Sequence, residues 1–229
     1  YGDHRDLHYP LRRQRQMCIR DSYYFDDGEQ QQAVFMMKAC DNCEAKVLLD
    51  PNKFSSDGTI SLSDISVSPD GKYLAYSISD GGSDWRKWKV LNIEDDRETD
   101  DLIEWSKFSY AVWESDSSGF YYQKYSQPDE ELSDINRSPQ LFFHKLGQSQ
   151  LEDQLIYEDQ QNPDFSWSIN VPEKGDYRVL SIGEGTDERN FLYISLDRSL
   201  SFIPLIDKFE ATYRSVSYTH LTLPTKRIV

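Results

Sequence analysis

Four histidines, three cysteines and 40 carboxylates are the groups through which this 229-residue chain could do chemistry. A hydrolytic triad needs a histidine base between a nucleophile and a carboxylate. His4, His8 and His220 lie near the chain ends, which leaves His144 in Leu141-Phe142-Phe143-His144-Lys145-Leu146. Strand alternation sets it opposite Phe143, so it reads as a histidine on the face of a strand. The closest string to a nucleophile elbow, Gly81-Gly82-Ser83-Asp84-Trp85, lacks the second glycine. No catalytic residue is therefore expected in the chain. Cys40 and Cys43 have C-x-x-C spacing, but no second pair or histidine lies nearby to complete a zinc site. Nor do they sit at a helix N-terminus in a βαβ setting, where a thioredoxin-like motif is expected, so they read as two incidental thiols between strands. The acid runs 94–96 and 129–131 lack the glycine spacing of a calcium loop and read as solvated loops. Asn136-Arg137-Ser138 matches a glycosylation acceptor, a weak signal alone. No metal and no cofactor are expected.

The elements that would position any site are strands. The chain holds 15 Tyr, 11 Phe and 5 Trp, and a disordered acidic chain would lack that aromatic content. Nine short aromatic or branched runs are expected as strands: 23–25, 33–37, 46–49, 72–79, 87–93, 119–125, 141–146, 177–182 and 191–196. Turn clusters at 26–28, 69–71, 115–119 and 173–175 punctuate them, and no segment sustains a helical period. The fold class is all-β. A net charge of −15 argues against nucleic acid, and no apolar run is long enough to span a membrane.

The charge is uneven. Residues 23–215 carry 18 basic and 37 acidic side chains, whereas 1–22 hold five Arg and no Lys. Arg12-to-Ser22 and 216–229 both resemble translated sequencing-adaptor read-through. The expected organisation is a non-native or disordered tail at 1–22, a partial β-propeller domain at 23–215, and a second such tail at 216–229.

A repeat supports the propeller. Apolar-apolar-acid triplets end at Asp50, Glu104, Glu158 and Asp207, spaced 54, 54 and 49 residues apart. Gly71, Gly119 and Gly175 follow the first three acids by 21, 15 and 17 residues, each within a hairpin signal. A unit of about 50 residues with four short strands has the size of a propeller blade. About four blades of four antiparallel strands are expected.

Four stretches, 47–85, 104–122, 140–159 and 177–196, resemble in order and spacing the propeller of the prolyl oligopeptidase family. Leu48-Leu49-Asp50-Pro51-Asn52, then Ser68-Pro69-Asp70-Gly71-Lys72-Tyr73 and Gly82-Ser83-Asp84-Trp85, are the most distinctive. The resemblance implies a serine peptidase that cleaves short peptides after proline, a monomer at full length. Its seven-bladed propeller gates a separate α/β-hydrolase domain carrying the triad. This chain would hold about four of those blades and be inactive alone, the hydrolase domain being missing. The compartment implied is the cytoplasm, with the periplasm the alternative for an exported bacterial member. The family also implies substrate-binding residues. Phe108 matches a phenylalanine lining the apolar subsite two residues upstream of the proline; the plain reading is one more blade-core aromatic. Ser166 and Thr186 stand where mammalian members carry a methionine and a cysteine of that subsite, and Gly183 stands where they carry an arginine. Two readings compete with the peptidase fragment. One is a self-contained four-bladed propeller acting as a binding or scaffold module. The other, a propeller glycan hydrolase or lectin, would need paired carboxylates facing the channel.

Overall fold

The computed structural model describes residues 21–40, 42–127, 137–196 and 201–215. Among them lie fifteen strands and two 3₁₀ turns, Pro51–Lys53 and Gln150–Glu152. The strands form four antiparallel sheets, each in chain order. The first contains β1 (Asp21–Phe25), β2 (Val34–Lys38) and β3 (Ala45–Leu49). The second contains β4 (Ile60–Val67), β5 (Tyr73–Asp80), β6 (Arg86–Asn92) and β7 (Arg97–Ser106). The third contains β8 (Val112–Trp113), β9 (Gly119–Lys124), β10 (Gln140–Lys145) and β11 (Gln154–Tyr157). The fourth contains β12 (Phe165–Asn170), β13 (Arg178–Glu184), β14 (Asn190–Ser195) and β15 (Ile203–Ile206). The all-β expectation holds, with three rather than four strands described in the first sheet. Residues 1–20 and 216–229 of the two expected tails lie outside the described residues, as does Asn136. β1 starts at Asp21, two residues before the expected start of the body.

The repeat acquires a structural meaning. Each apolar-apolar-acid triplet falls on, or runs just past, the last strand of its sheet: β3, β7, β11 and β15. Gly71, Gly119 and Gly175 lie at the first hairpin of the three complete sheets. Gly175 has φ +64° and a Cβ there would lie 1.9 Å from Ser115 Oγ. Gly119 is needed for approach alone: a Cβ would lie 2.0 Å from the His144 carbonyl oxygen.

The chain divides into two compact units, 1–61 with 80–82 and 62–79 with 83–229. In the first, Asp50 caps the 3₁₀ turn through the Asn52 amide. Asn52 Oδ1 accepts from Gln32 N at 3.0 Å and its Nδ2 donates to Gln32 O at 2.9 Å. One carboxamide thus satisfies both backbone groups of a residue in the connection between β1 and β2.

In the second unit, apolar seams join the sheets face to face. Ala75, Trp88, Val90 and Ile103 of sheet two pack on Trp113, Phe120 and Tyr122 of sheet three. Tyr121 points to the opposite face because strand side chains alternate. With Leu141 it packs on Trp167, Ile169, Leu180 and Ile182 of sheet four. Each buried ring removes roughly 150–250 Å² from water, a gross gain of about 4–6 kcal/mol. Two-faced burial of this kind explains the aromatic-rich composition.

Candidate functional site

The segment between β7 and β8 inverts the usual burial rule. Ser106, Lys107 and Ser109 are buried, while Phe108 and Tyr110 are 53% and 70% exposed. Hydrogen bonds make this local arrangement stable. Ser106 Oγ accepts from Trp88 Nε1 at 3.1 Å and donates to Gln123 O at 2.9 Å. Ser109 Oγ accepts from Gln123 N at 2.8 Å, and Arg86 Nη1 donates to Ser109 O at 3.2 Å. The two hydroxyls stand in for ladder bonds that an irregular backbone cannot make. Trp105 at φ +60° and Phe108 at φ +50° both occupy the left-handed region, which bulky residues avoid. Such strain persists only where surroundings hold it, and it clusters at functional sites. Beneath the loop, Trp85 meets Trp105 and Tyr125 edge-on at 5.7 and 6.3 Å. The Lys107 ammonium lies 4.9 Å from the Trp85 ring centre and 5.5 Å from that of Phe108.

Phe108 and Tyr110 form one wall of an open groove of about 800 Å³ between sheets three and four. The start of β12 and the β13–β14 turn also line it. Ser166 faces Gly183 directly in the β12–β13 register, and Thr186 lies in the turn beyond. Phe108, Ser166 and Thr186 therefore line one groove, together with Gly183. The plain reading of Phe108 as a blade-core aromatic is not what the structure shows. Gly183 leaves room, since an added Cβ would meet nothing nearer than Arg189 O at 3.9 Å.

Sequence reading missed Gln123, the buried residue that ties the walls together. Its Nε2 donates to Trp167 O at 2.8 Å and to Phe108 O at 3.3 Å. Two carbonyl partners fix which end of the amide is nitrogen, and Oε1 is left buried without a partner. Two ion pairs flank the groove. Arg137 Nε meets Asp164 at 2.9 Å, and Arg189 Nη2 meets Asp187 at 2.5 Å. The Arg189 side chain and amide hold the Asp187 carboxyl down to about 2.

His144 lies elsewhere, fully buried at the junction of sheets two and three. Its Nδ1 is 2.7 Å from Asp153 Oδ1 and its Nε2 is 3.0 Å from Asp101 Oδ1. Burial alone would push its pKa down. Hydrogen bonds and charge from the two carboxylates outweigh that and raise it to about 9. Burial likewise opposes the Asp101 charge, but His144, Thr99 and the Gly147 amide hold its pKa below the usual range. The hydroxyls nearby, Thr99 on Asp101 and Tyr122 on Asp153, are already donating to those carboxylates. A sealed imidazolium without a free nucleophile is a structural latch, as its reading on a strand face implies. A second latch joins sheets three and four. Arg178 meets both Glu114 oxygens, with Nη2–Oε1 at 2.6 Å and Nε–Oε2 at 3.0 Å. No metal-ligand cluster occurs among the described residues. No described helix is long and apolar enough to cross a membrane.

One expectation is corrected: Cys40 and Cys43 are not separate thiols but form a disulfide. The β2–β3 turn brings their Cα atoms to 5.0 Å, a closeness that spacing alone does not disclose.

The three four-stranded meander sheets of the second unit, stacked face to face in chain order, have the form of β-propeller blades. The family model described as the prolyl oligopeptidase N-terminal β-propeller domain matches residues 4–227, and the chain belongs to that family. The prolyl endopeptidase of Elizabethkingia miricola is 37% identical over 191 residues, covering 82% of this chain and 27% of its own length. That of Elizabethkingia meningoseptica is 34% identical over 214 residues, covering 89% and 30%. A solved structure of prolyl oligopeptidase B from Galerina marginata, bound to a 35mer hydrolysis and macrocyclization substrate, superposes with TM-score 0.79. It is 26% identical and covers 87% of this chain and 31% of that one. The chain spans under a third of the length of these relatives.

Proposed function

We propose that this chain is the substrate-gating propeller portion of a serine-type endopeptidase that cleaves short peptides after proline. It works with an α/β-hydrolase domain carried outside these 229 residues, which supplies the nucleophile, base and acid. The observation that supports this most directly is the groove: Phe108, displayed on strained backbone, lines one open cleft together with Ser166 and Thr186. An exposed, fixed aromatic face offers a large apolar contact at little entropic cost. Phe108 takes the peptide side chain two residues before the proline, while Ser166 and Thr186 contribute small, polar groups to the same groove. Leu196, Ile203 and Leu205 on or beside the fourth sheet are more than half exposed, which suits a further blade packed beyond it. That favours a larger propeller over a self-contained binding module.

The test is a chimera in which residues 21–215 replace the matching segment of the Elizabethkingia miricola enzyme. It should hydrolyse a proline-linked chromogenic peptide, whereas the 229-residue chain alone should not. Phe108→Ala in the chimera should raise KM about tenfold for peptides with a bulky residue two before the proline, a loss of about 1.4 kcal/mol of binding. A folded chimera with no turnover, or KM values indifferent to Phe108, would overturn the reading.

A further inference from the structure

Cys40 and Cys43 form a disulfide across the turn between β2 and β3. We propose that this pair is a site of thiol–disulfide exchange, taking small-molecule thiols of the glutathione class, and not a structural staple.

The hairpin is held without the bond. The β2–β3 ladder pairs Lys38 with Ala45 beside the turn, then Met37 with Lys46 and Met36 with Val47. Cys43 N donates to Cys40 O at 3.1 Å. A cross-link stabilises chiefly by restricting the unfolded chain, and its effect grows with the loop it closes. A bridge between residues three apart in sequence lies at the weak end of that range. Access is the second consideration: Cys40 is exposed and Cys43 half-buried, so a thiolate can reach the Cys40 sulfur. Return is the third. Because ladder and turn survive reduction, the two thiols stay neighbours and the bond closes within one molecule.

A thiolate RS⁻ attacks Cys40 Sγ; the RS–Sγ bond forms, the Sγ–Sγ bond breaks, and its electron pair leaves on Cys43, which takes up a proton. A second thiolate attacks the RS sulfur of the mixed disulfide, releasing RSSR and the Cys40 thiolate, which is protonated in turn. Two thiols are oxidised to one disulfide and the protein disulfide is reduced by two electrons. Oxidised glutathione drives the reverse.

The experiment uses the full chain with Cys18→Ser, which removes the third cysteine. It is incubated natively with millimolar glutathione or dithiothreitol, then with a maleimide, and counted by intact mass. No label before reduction and two after it are expected, with oxidised glutathione restoring the unlabelled form. The sheet circular dichroism spectrum should be unchanged on reduction, and the thermal midpoint should fall by no more than about 5 °C. With Cys43→Ser added, oxidised glutathione should leave one glutathione on Cys40. Labelling only after denaturant, loss of the sheet spectrum on reduction, or free thiols that oxidised glutathione never pairs would each overturn the proposal.

Discussion

The junction of sheets two and three and that of sheets three and four are built alike and ionised differently. Both have an aromatic seam, and both bury one cation against carboxylate. At the first, His144 lies between Asp101 and Asp153. At the second, Arg178 makes a bidentate pair with Glu114, to which the Tyr121 hydroxyl also donates at 2.8 Å. An imidazolium can lose its proton in the ordinary pH range and a guanidinium cannot. Only the second junction opens into the groove that displays Phe108. The lesson is that one blade-to-blade plan can be fastened by a titratable or a permanent charge, and pH should tell them apart.

The largest expected effect breaks the permanent latch. Arg178→Met strands the buried Glu114 carboxylate and should cost about 3–5 kcal/mol in chemical denaturation. Adding Glu114→Gln should recover most of it; an unchanged midpoint in the single variant would remove the latch from the account. Next comes the titratable latch. Its folded pKa of about 9 lies above the ordinary 6.5, so its contribution is whole below pH 6.5 and is lost as pH rises through 9. The loss should approach about 3 kcal/mol. His144→Gln should flatten that part of the stability profile between pH 6.5 and 10, whereas Arg178→Met should leave its slope intact. The groups facing His144 there are Asp101 from β7, Asp153 after β10, and Tyr122 of β9 through Asp153.

Smaller effects sharpen the contrast between latch and groove. Phe108→Gly removes a side chain from the left-handed region and should leave stability unchanged or raise it by up to about 1 kcal/mol. The same change should abolish the KM preference of the chimera for bulky residues, separating strain kept for binding from strain kept for folding. Smallest of all, Gly183→Arg should shift the thermal midpoint by less than about 2 °C, because a Cβ there meets only Arg189 O at ordinary contact distance, 3.9 Å, and the position lines the groove.

How much of this was legible depends on where a residue lies in its sheet. The inner strands β5, β6, β9, β10, β13 and β14 were read as strands because seams cover them and demand apolar residues. In the three complete sheets the outer strands carry a weaker signal, whereas β1 and β3, the outer strands of the first sheet, match expected runs. β4, Ile-Ser-Leu-Ser-Asp-Ile-Ser-Val, is half Ser and Asp, β7 opens on Arg-Glu-Thr-Asp-Asp, and β8 has two residues. Phe108, Ser166 and Thr186, matched through the family resemblance, line one groove, but Gln123 carries no sequence signal because its partners, Phe108 and Trp167, lie 15 and 44 residues away.

Sequence by itself determined the all-β class and the blade period, since burial on two faces and tight hairpins leave marks of composition and spacing in every repeat, and its motif strings carried the family resemblance. Tertiary structure alone decided the charge state of His144, the pairing of Cys40 with Cys43, and the inside-out display of Phe108. The first and last depend on which distant groups arrive within a few ångströms, and the cysteine pairing depends on the conformation of a turn three residues long, which C-x-x-C spacing alone does not fix.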